Sequence, residues 1–192
     1  MTPIEHSIFA FNFAALAPRR LRTPAFYWAA MVAAIAPDVD GLSRLFGADA
    51  YVRYHRTYAH GLLGATLVGM AAAALALKLL PNAAFRVGQS EPRADGDGAR
   101  RLGWVGLLVA AVIGGVSHVL IDTLYAWPLP VLWPFSSTTF SWPVLPWGDV
   151  GVLAIMLASM FAHAHPRAPR RLVGALTLAV LAAYVAAKLC AA

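Results

Sequence analysis

Three long apolar runs, residues 61–80, 102–121 and 172–189, constrain this chain more than anything else in it. Each reaches the length of about 20 residues that a helix needs to cross a bilayer. In lipid such a run has to be helical, because every backbone N–H and C=O must find its partner within the segment. A fourth run, 150–164, is shorter but continuous, and is expected to span together with its flanks. The composition agrees: 60% of residues are of the AVILMFWYC set and 12% are charged. A soluble domain carries about 45–50% and about 25%, so a water-soluble monomer is excluded, and so is a disordered chain. The expected fold is all-α, a polytopic transmembrane helical bundle of about four spanning helices, with residues 1–192 as one membrane-embedded domain.

The N-terminal third is different. Residues 8–17 and 25–36 are apolar but short, and Pro18, Arg19, Arg20, Arg22 and Pro24 separate them. At 1.5 Å per residue each covers roughly 15–18 Å, about half the hydrocarbon thickness. They read as half-helices packed inside the bundle or as helices lying in the interface. Glu5 and His6 stand where a signal peptide would be basic, so this N-terminus is not expected to be a cleaved signal.

The net charge is +6, and its placement is topological. Residues 81–101 carry Arg86, Arg93, Arg100 and Arg101; residues 165–171 carry Arg167, Arg170 and Arg171; residues 122–148 carry no Lys or Arg. The positive-inside rule puts the first two connections in the cytoplasm and the third outside. Residues 84–100, rich in small and polar side chains, read as a flexible cytoplasmic loop. The external loop holds Trp127, Trp133, Phe135, Trp142 and Trp147 among prolines, the composition of an aromatic belt or a lid at the membrane surface. Residues 38–59 are then external too, despite Arg44, Arg53 and Arg56. The single cysteine, Cys190, supports neither a disulfide framework nor a thiolate metal site.

That topology gathers the scarce ionisable residues at one boundary. Asp38 and Asp40 follow Pro37 in a turn. His55 and His60 precede the second run. His118 and Asp122 close the third. His118 and Asp122, four apart, share one helix face. His55 and His60, five apart, would diverge by about 140° on one helix, so the chain must turn between them, with Thr57 as the expected N-cap. His6 reaches the same boundary if 8–17 descends and 25–36 returns. Each group also has an ordinary explanation: a polar interhelical pair for His118 and Asp122, interfacial histidines for His55 and His60, Asx turns for the aspartates. Two neighbouring carboxylates, however, call for a cation or a shared proton, and ionisable groups inside spans are rare and costly.

The expected metal ligands are therefore His6, Asp38, Asp40, His55, His60, His118 and Asp122. An all-N/O set suits a divalent ion, Zn²⁺ first, with Mn²⁺ or Fe as alternatives, in a number of one to three ions. Such ions polarise a phosphoryl oxygen and acidify a bound water. Asp38 or Asp40 is the expected general base or bridge. Arg56 is either a phosphate clamp or a headgroup-level arginine. His163 and His165 fall at the opposite end and are expected to take no part. Asp149 reads as an N-cap.

Together, His6, Pro37-Asp38-Val39-Asp40, His55-Arg56-Thr57-Tyr58-Ala59-His60-Gly61, His118-Val119-Leu120-Ile121-Asp122 and Trp133-Pro134-Phe135 give the chain its resemblance. It resembles the YdjM-like family of bacterial inner-membrane metal-dependent hydrolases, which also carries a LexA-binding label. The resemblance covers about residues 5–135 and implies a membrane-embedded helical hydrolase. A looser similarity, to the zinc phospholipase C and P1 nuclease group, rests on an early His, an Asp, a His and a His-x-x-x-Asp. That group's later His-x-x-x-His-x-x-x-Glu set is absent from this sequence. No DNA-binding motif accompanies the basic loops, so no nucleic-acid partner is expected.

The sequence thus points to a hydrolase of phosphoesters, with a lipid headgroup as the substrate its position favours. Its site would face the periplasm from the bacterial inner membrane. Two other readings remain: a metal- or proton-handling transporter, and a non-catalytic membrane protein with a structural metal.

Overall fold

The chain opens on two short helices whose starts are written in the sequence. The computed structural model describes residues 2–79 and 103–191. Helix α1 (Pro3–Leu16) begins at Thr2, whose hydroxyl accepts from Glu5 N while the Glu5 carboxylate accepts from Thr2 N at 2.8 Å, a capping box. Helix α2 (Pro24–Ile35) begins at Thr23, which caps Phe26 N, with proline in the first turn where its missing N–H is not needed. The two form a hairpin, and α2 is buried along most of its length, from Ala25 and Phe26 to Ala33 and Ala34. The N-terminal segments are therefore half-helices inside the bundle, not helices laid on its surface.

From α2 the chain runs directly into a 3-10 helix, Ala36–Phe46. Asp38 and Asp40 thus sit in an eleven-residue helix rather than the expected turn, because Pro37 falls in its first turn, where proline is tolerated. Helix α3 (Ala48–Tyr54), a single 3-10 turn (Tyr58–His60) and α4 (Leu62–Leu79) follow. Then come α5 (Trp104–Asp122), α6 (Val150–Ala164) and α7 (Arg170–Ala191). Helices α4, α5 and α7 are long and apolar enough to cross a membrane; α6, with 15 residues, is the shorter fourth. Among the described residues there is no strand, only an isolated bridge between Leu129 and Phe140. The expected loop 84–100 lies outside the described residues, as do Arg86, Arg93, Arg100 and Arg101.

Lipid as the solvent shows in what is buried. Leu63, Leu67 and Leu75 of α4, Leu108 and Val112 of α5, and Leu176 and Val180 of α7 face outward, while the core is largely alanine. Between helices in lipid, close backbone approach through small residues replaces the packing of large ones. A Cβ on Gly114 of α5 would stand 2.6 Å from Ala30 O and 2.8 Å from Ala34 N of α2, and one on Gly69 of α4 2.9 Å from Ala33 O.

Past α5, residues 123–149 fold back over the end of the bundle. Trp142 N donates to Thr123 O at 2.6 Å, Leu145 N to Leu124 O at 3.0 Å, and Leu62 N, at the start of α4, to Val131 O at 2.9 Å. Asp149 caps α6 by accepting from Val152 N at 3.0 Å, and also holds α7 through Tyr184 Oη at 2.8 Å and Lys188 Nζ at 3.3 Å.

In an exposed helix Gly→Ala stabilises by up to about 1 kcal/mol; at Gly114 the sign should reverse. Gly114→Ala is expected to lower the Tm of the detergent-solubilised protein clearly more than Gly103→Ala, which loses only N-cap preference because an added Cβ there meets nothing within 4 Å. Equal Tm changes would contradict the α2–α5 contact.

Candidate metal centre

Four parts of the chain meet at one place. Helix α1 brings His6, the 3-10 helix after α2 brings Asp38 and Asp40, the segment 55–60 brings His55, Arg56 and His60, and the last turn of α5 brings His118 and Asp122. His6 Nε2 lies 3.3 Å from Asp122 Oδ1 and 3.9 Å from Asp38 Oδ2. His60 Nε2 lies 3.5 Å from Asp38 Oδ1 and 3.8 Å from Asp122 Oδ2. His118 Nε2 lies 3.7 Å from Asp122 Oδ2 and 4.0 Å from Asp38 Oδ1.

Donors around a tetrahedral ion, at about 2.0–2.1 Å from it, are about 3.3–3.4 Å apart, so a small relaxation makes this set a coordination sphere. Two overlapping triads, His6–Asp38–His118 and His60–His118–Asp122, each bring their ligand atoms within 4.8 Å of one another. The Nε2 atoms of His6, His60 and His118 are buried and make no hydrogen bond. Leaving three polar nitrogens so is costly unless a ligand takes them, so the residues fit a metal ion.

The other ring nitrogens are committed. His118 Nδ1 donates to the Ala34 carbonyl at 2.7 Å, and His60 Nδ1 to Asp40 Oδ2 at 3.1 Å. Each bond fixes a tautomer that turns Nε2 inward. Asp40 is fully engaged: Oδ1 with His55 Nδ1 at 2.7 Å, and Oδ2 also with Arg56 N at 3.1 Å. Neither Asp40 nor His55 belongs to a metal-capable triad. Asp40 holds His60 from behind, and His55 braces Asp40 while stacking on Tyr51 at 4.5 Å.

Burial pushes the Asp38 carboxyl up, but the close approach of the His60, His118 and His6 imidazoles outweighs it and holds it below the ordinary value. At Asp40 burial also opposes ionisation, yet the bonds to His55 and His60 bring it down to about 2. Burial pushes His60 down, and Asp38 and Asp40 more than reverse this, so its net shift is upward.

The turn between His55 and His60 is made at Arg56, and Thr57 takes the expected N-cap position of the 3-10 turn without a side-chain cap bond. Arg56 has φ 61°, the left-handed region that a non-glycine residue rarely enters, and Thr57 instead donates to Tyr54 O at 2.6 Å. Backbone strain of this kind gathers at functional sites. The Arg56 side chain is 4% exposed; its Nη2 lies 3.3 Å from Asp122 Oδ2, its guanidinium covers Trp127 at 5.5 Å, and Nε and Nη1 make no hydrogen bond. A cavity of about 400 Å³ is lined by Tyr125, Ala126, Trp127, Pro128 and Trp147, and Trp127 is its link to the Arg56 guanidinium.

His163 lies at the other end of α6, with Nε2 bonded to Asn12 Oδ1 at 3.1 Å, and His165 Nδ1 accepts from Arg167 N at 3.3 Å.

The profile of the YdjM inner membrane proteins matches residues 1–192. The chain belongs to the YdjM family. No curated protein and no solved structure matches it. It is, accordingly, an inner membrane protein whose apolar helices carry a His/Asp group able to hold a metal ion.

Several parts of the YdjM site escape a reading of side-chain types. The Ala34 carbonyl leaves no residue signature. Tyr51 and Trp127 are two aromatics among many. The Thr2-x-x-Glu5 box that anchors α1, and with it His6, carries its signal in the sequence as a capping box.

With a folded value of about 2 against an ordinary 3.8, Asp40 contributes stability that is intact above about pH 4 and lost as pH falls through its folded value. In chelator-treated protein, Asp40→Asn should flatten the fall of Tm between pH 5 and 2 relative to the parent. The same variant should weaken Zn²⁺ binding about 10–100-fold, as loss of a ligand's outer partner does. An unchanged affinity would remove Asp40 from the site.

Proposed function

We propose that this chain is a metal-dependent hydrolase of phosphoesters, acting on a lipid headgroup at the external face of the inner membrane. What carries the reading is the convergence of three inward-facing, otherwise unbonded imidazole nitrogens with two carboxylates, beside a buried arginine that keeps two donors open. His6, His60, His118, Asp38 and Asp122 would hold a divalent ion, Zn²⁺ first and Mn²⁺ or Fe as alternatives. Such an ion supplies a Lewis acid and lowers the pKa of water.

The protein's own residues do the rest. Asp40 and the Ala34 carbonyl orient two imidazoles. Asp38, with 24% of its side chain exposed, is the carboxylate placed to take a proton from incoming water. Arg56 presents Nε and Nη1 to a phosphoryl oxygen, while Asp122 and Trp127 prevent its side chain from swinging away. The aromatic cavity next to Trp127 receives the apolar part of the substrate, and its position at the end of the apolar bundle favours a lipid.

One observation speaks for transport: Asn12 and Ser159 form a buried polar pair at 2.9 Å deeper in the bundle, joined to His163. Ile8, Phe9, Val152 and Met156 form an apolar cluster on the helices between it and the metal centre, which favours hydrolysis over a continuous path.

Elemental mass spectrometry of protein purified without chelator is expected to find one to three metal ions per chain. They should be lost in His118→Ala and kept in His163→Ala. With metal bound, Arg56→Gln should lower kcat/KM for a phosphodiester or phospholipid by about 10²-fold or more without changing metal content. Metal-free wild type after incubation with Zn²⁺ and Mn²⁺ would end the hydrolase reading. Metal-loaded protein that moves ions across liposomes and turns over no ester would favour transport.

A further inference from the structure

The bundle end opposite the metal centre carries a second unsatisfied polar group. Here the α1–α2 turn meets the start of α7. Tyr27 is 4% exposed, and its hydroxyl makes no hydrogen bond. Arg22 and Arg170 both neighbour that hydroxyl, from the turn and from the first residue of α7. The Arg170 guanidinium stands over the Tyr27 ring at 5.8 Å, and Arg22 Nε is buried with no partner. Phe11 stacks on the other side of Tyr27 at 4.5 Å and fixes the ring.

Two guanidinium groups drawn to one neutral hydroxyl repel each other unless an anion lies between them. No anion of the described chain is there. Glu5, Asp38, Asp40, Asp49, Asp122 and Asp149 all belong to elements at the metal-centre end. Arg19, Arg20, Arg167 and Arg171 add to the positive field at this end. Fork-shaped donors that cannot lose their charge, with a hydroxyl between them, are chemistry for a phosphate group. The place, where the apolar helices stop, is where lipid phosphates lie.

We propose that Arg22, Tyr27 and Arg170 form a binding site for the phosphate of an anionic phospholipid at this end of the bundle. The site is independent of the metal centre and of the hydrolase reading. It ties the α1–α2 hairpin to the start of α7 through a bound headgroup.

The test is native mass spectrometry of delipidated protein titrated with dioleoyl phosphatidylglycerol, dioleoyl phosphatidylcholine or inorganic phosphate. Wild type is expected to bind one phosphatidylglycerol at least ~10-fold more tightly than phosphatidylcholine, given donors that suit an anionic headgroup. Arg22→Gln/Arg170→Gln should weaken this at least ~5-fold, while Arg20→Gln/Arg171→Gln, the same charge change at exposed positions, stays within about twofold. Tyr27→Phe keeps the ring and removes only the hydroxyl; it should also weaken binding, and it carries the test if the double variant loses its Tm. Competition by millimolar phosphate would identify a phosphate site that soluble anions also fill; its absence would identify the lipid as sole source, and both support the site. Equal loss in the two double variants would replace the site by a diffuse basic belt. Absence of any preference for phosphatidylglycerol, with no phosphate binding, would overturn it. Metal content is expected to stay at the wild-type level in every variant, so none of these outcomes bears on the metal centre.

Discussion

The backbone contact between α2 and α5 holds this structure in register. Gly114 lets α5 close on Ala30 and Ala34, and one turn further on His118 Nδ1 meets the Ala34 carbonyl at 2.7 Å. That carbonyl belongs to the last turn of α2, where acceptors commonly lack intrahelical partners. In the 3-10 register that follows, its donor would come from residue 37, and Pro37 has no N–H. The helix end and the histidine therefore answer each other's need. The same proline that starts the 3-10 helix places Asp38 and Asp40, so one dipeptide boundary connects the packing of α2 to both halves of the ligand set.

Charge balance explains why such a group tolerates burial. Asp38, Asp40 and Asp122 bring three negative charges and Arg56 one positive, so with neutral imidazoles two negative charges are left over, the complement of one divalent ion. Protonated histidines are a poor substitute: His6 and His118 stack at 4.1 Å and His60 meets His118 at 4.8 Å, and like charges that close in a water-poor site disfavour each other. The stacking of His6 on His118 thus disfavours protonating both together, and the neutral imidazole is the state that ligates metals.

What could be read from the sequence follows from what lipid forbids. Long apolar runs mark α4, α5, α6 and α7 because hydrocarbon leaves little freedom in composition, and His6, His60, His118, Asp38 and Asp122 stood out because ionisable residues are scarce in such a chain. The division of labour did not show. Asp38 and Asp40 are chemically the same and two residues apart, and only the direction each takes from the 3-10 helix makes one face the imidazole nitrogens and the other their outer side. The turn at Arg56 was invisible for a similar reason: an arginine at positive φ has no sequence signature, whereas a glycine there would have announced it. His55 looked like a ligand by type, yet its Nδ1 is committed to Asp40.

The two ends of the bundle are opposites in charge. All the described acids lie at one end, and Arg19, Arg20, Arg22, Arg167, Arg170 and Arg171 lie at the other. Positive charge of that kind fixes which end stays in the cytoplasm, so the rule that orients the chain would also turn the acidic end outward. Without a cation, three carboxylates against one guanidinium repel a phosphoester, and Arg56 is already drawn to Asp122. Neutralising the carboxylates frees the positive field of Arg56 for an incoming anion. On the proposed reading, metal binding and anion binding at this site would therefore be coupled through charge.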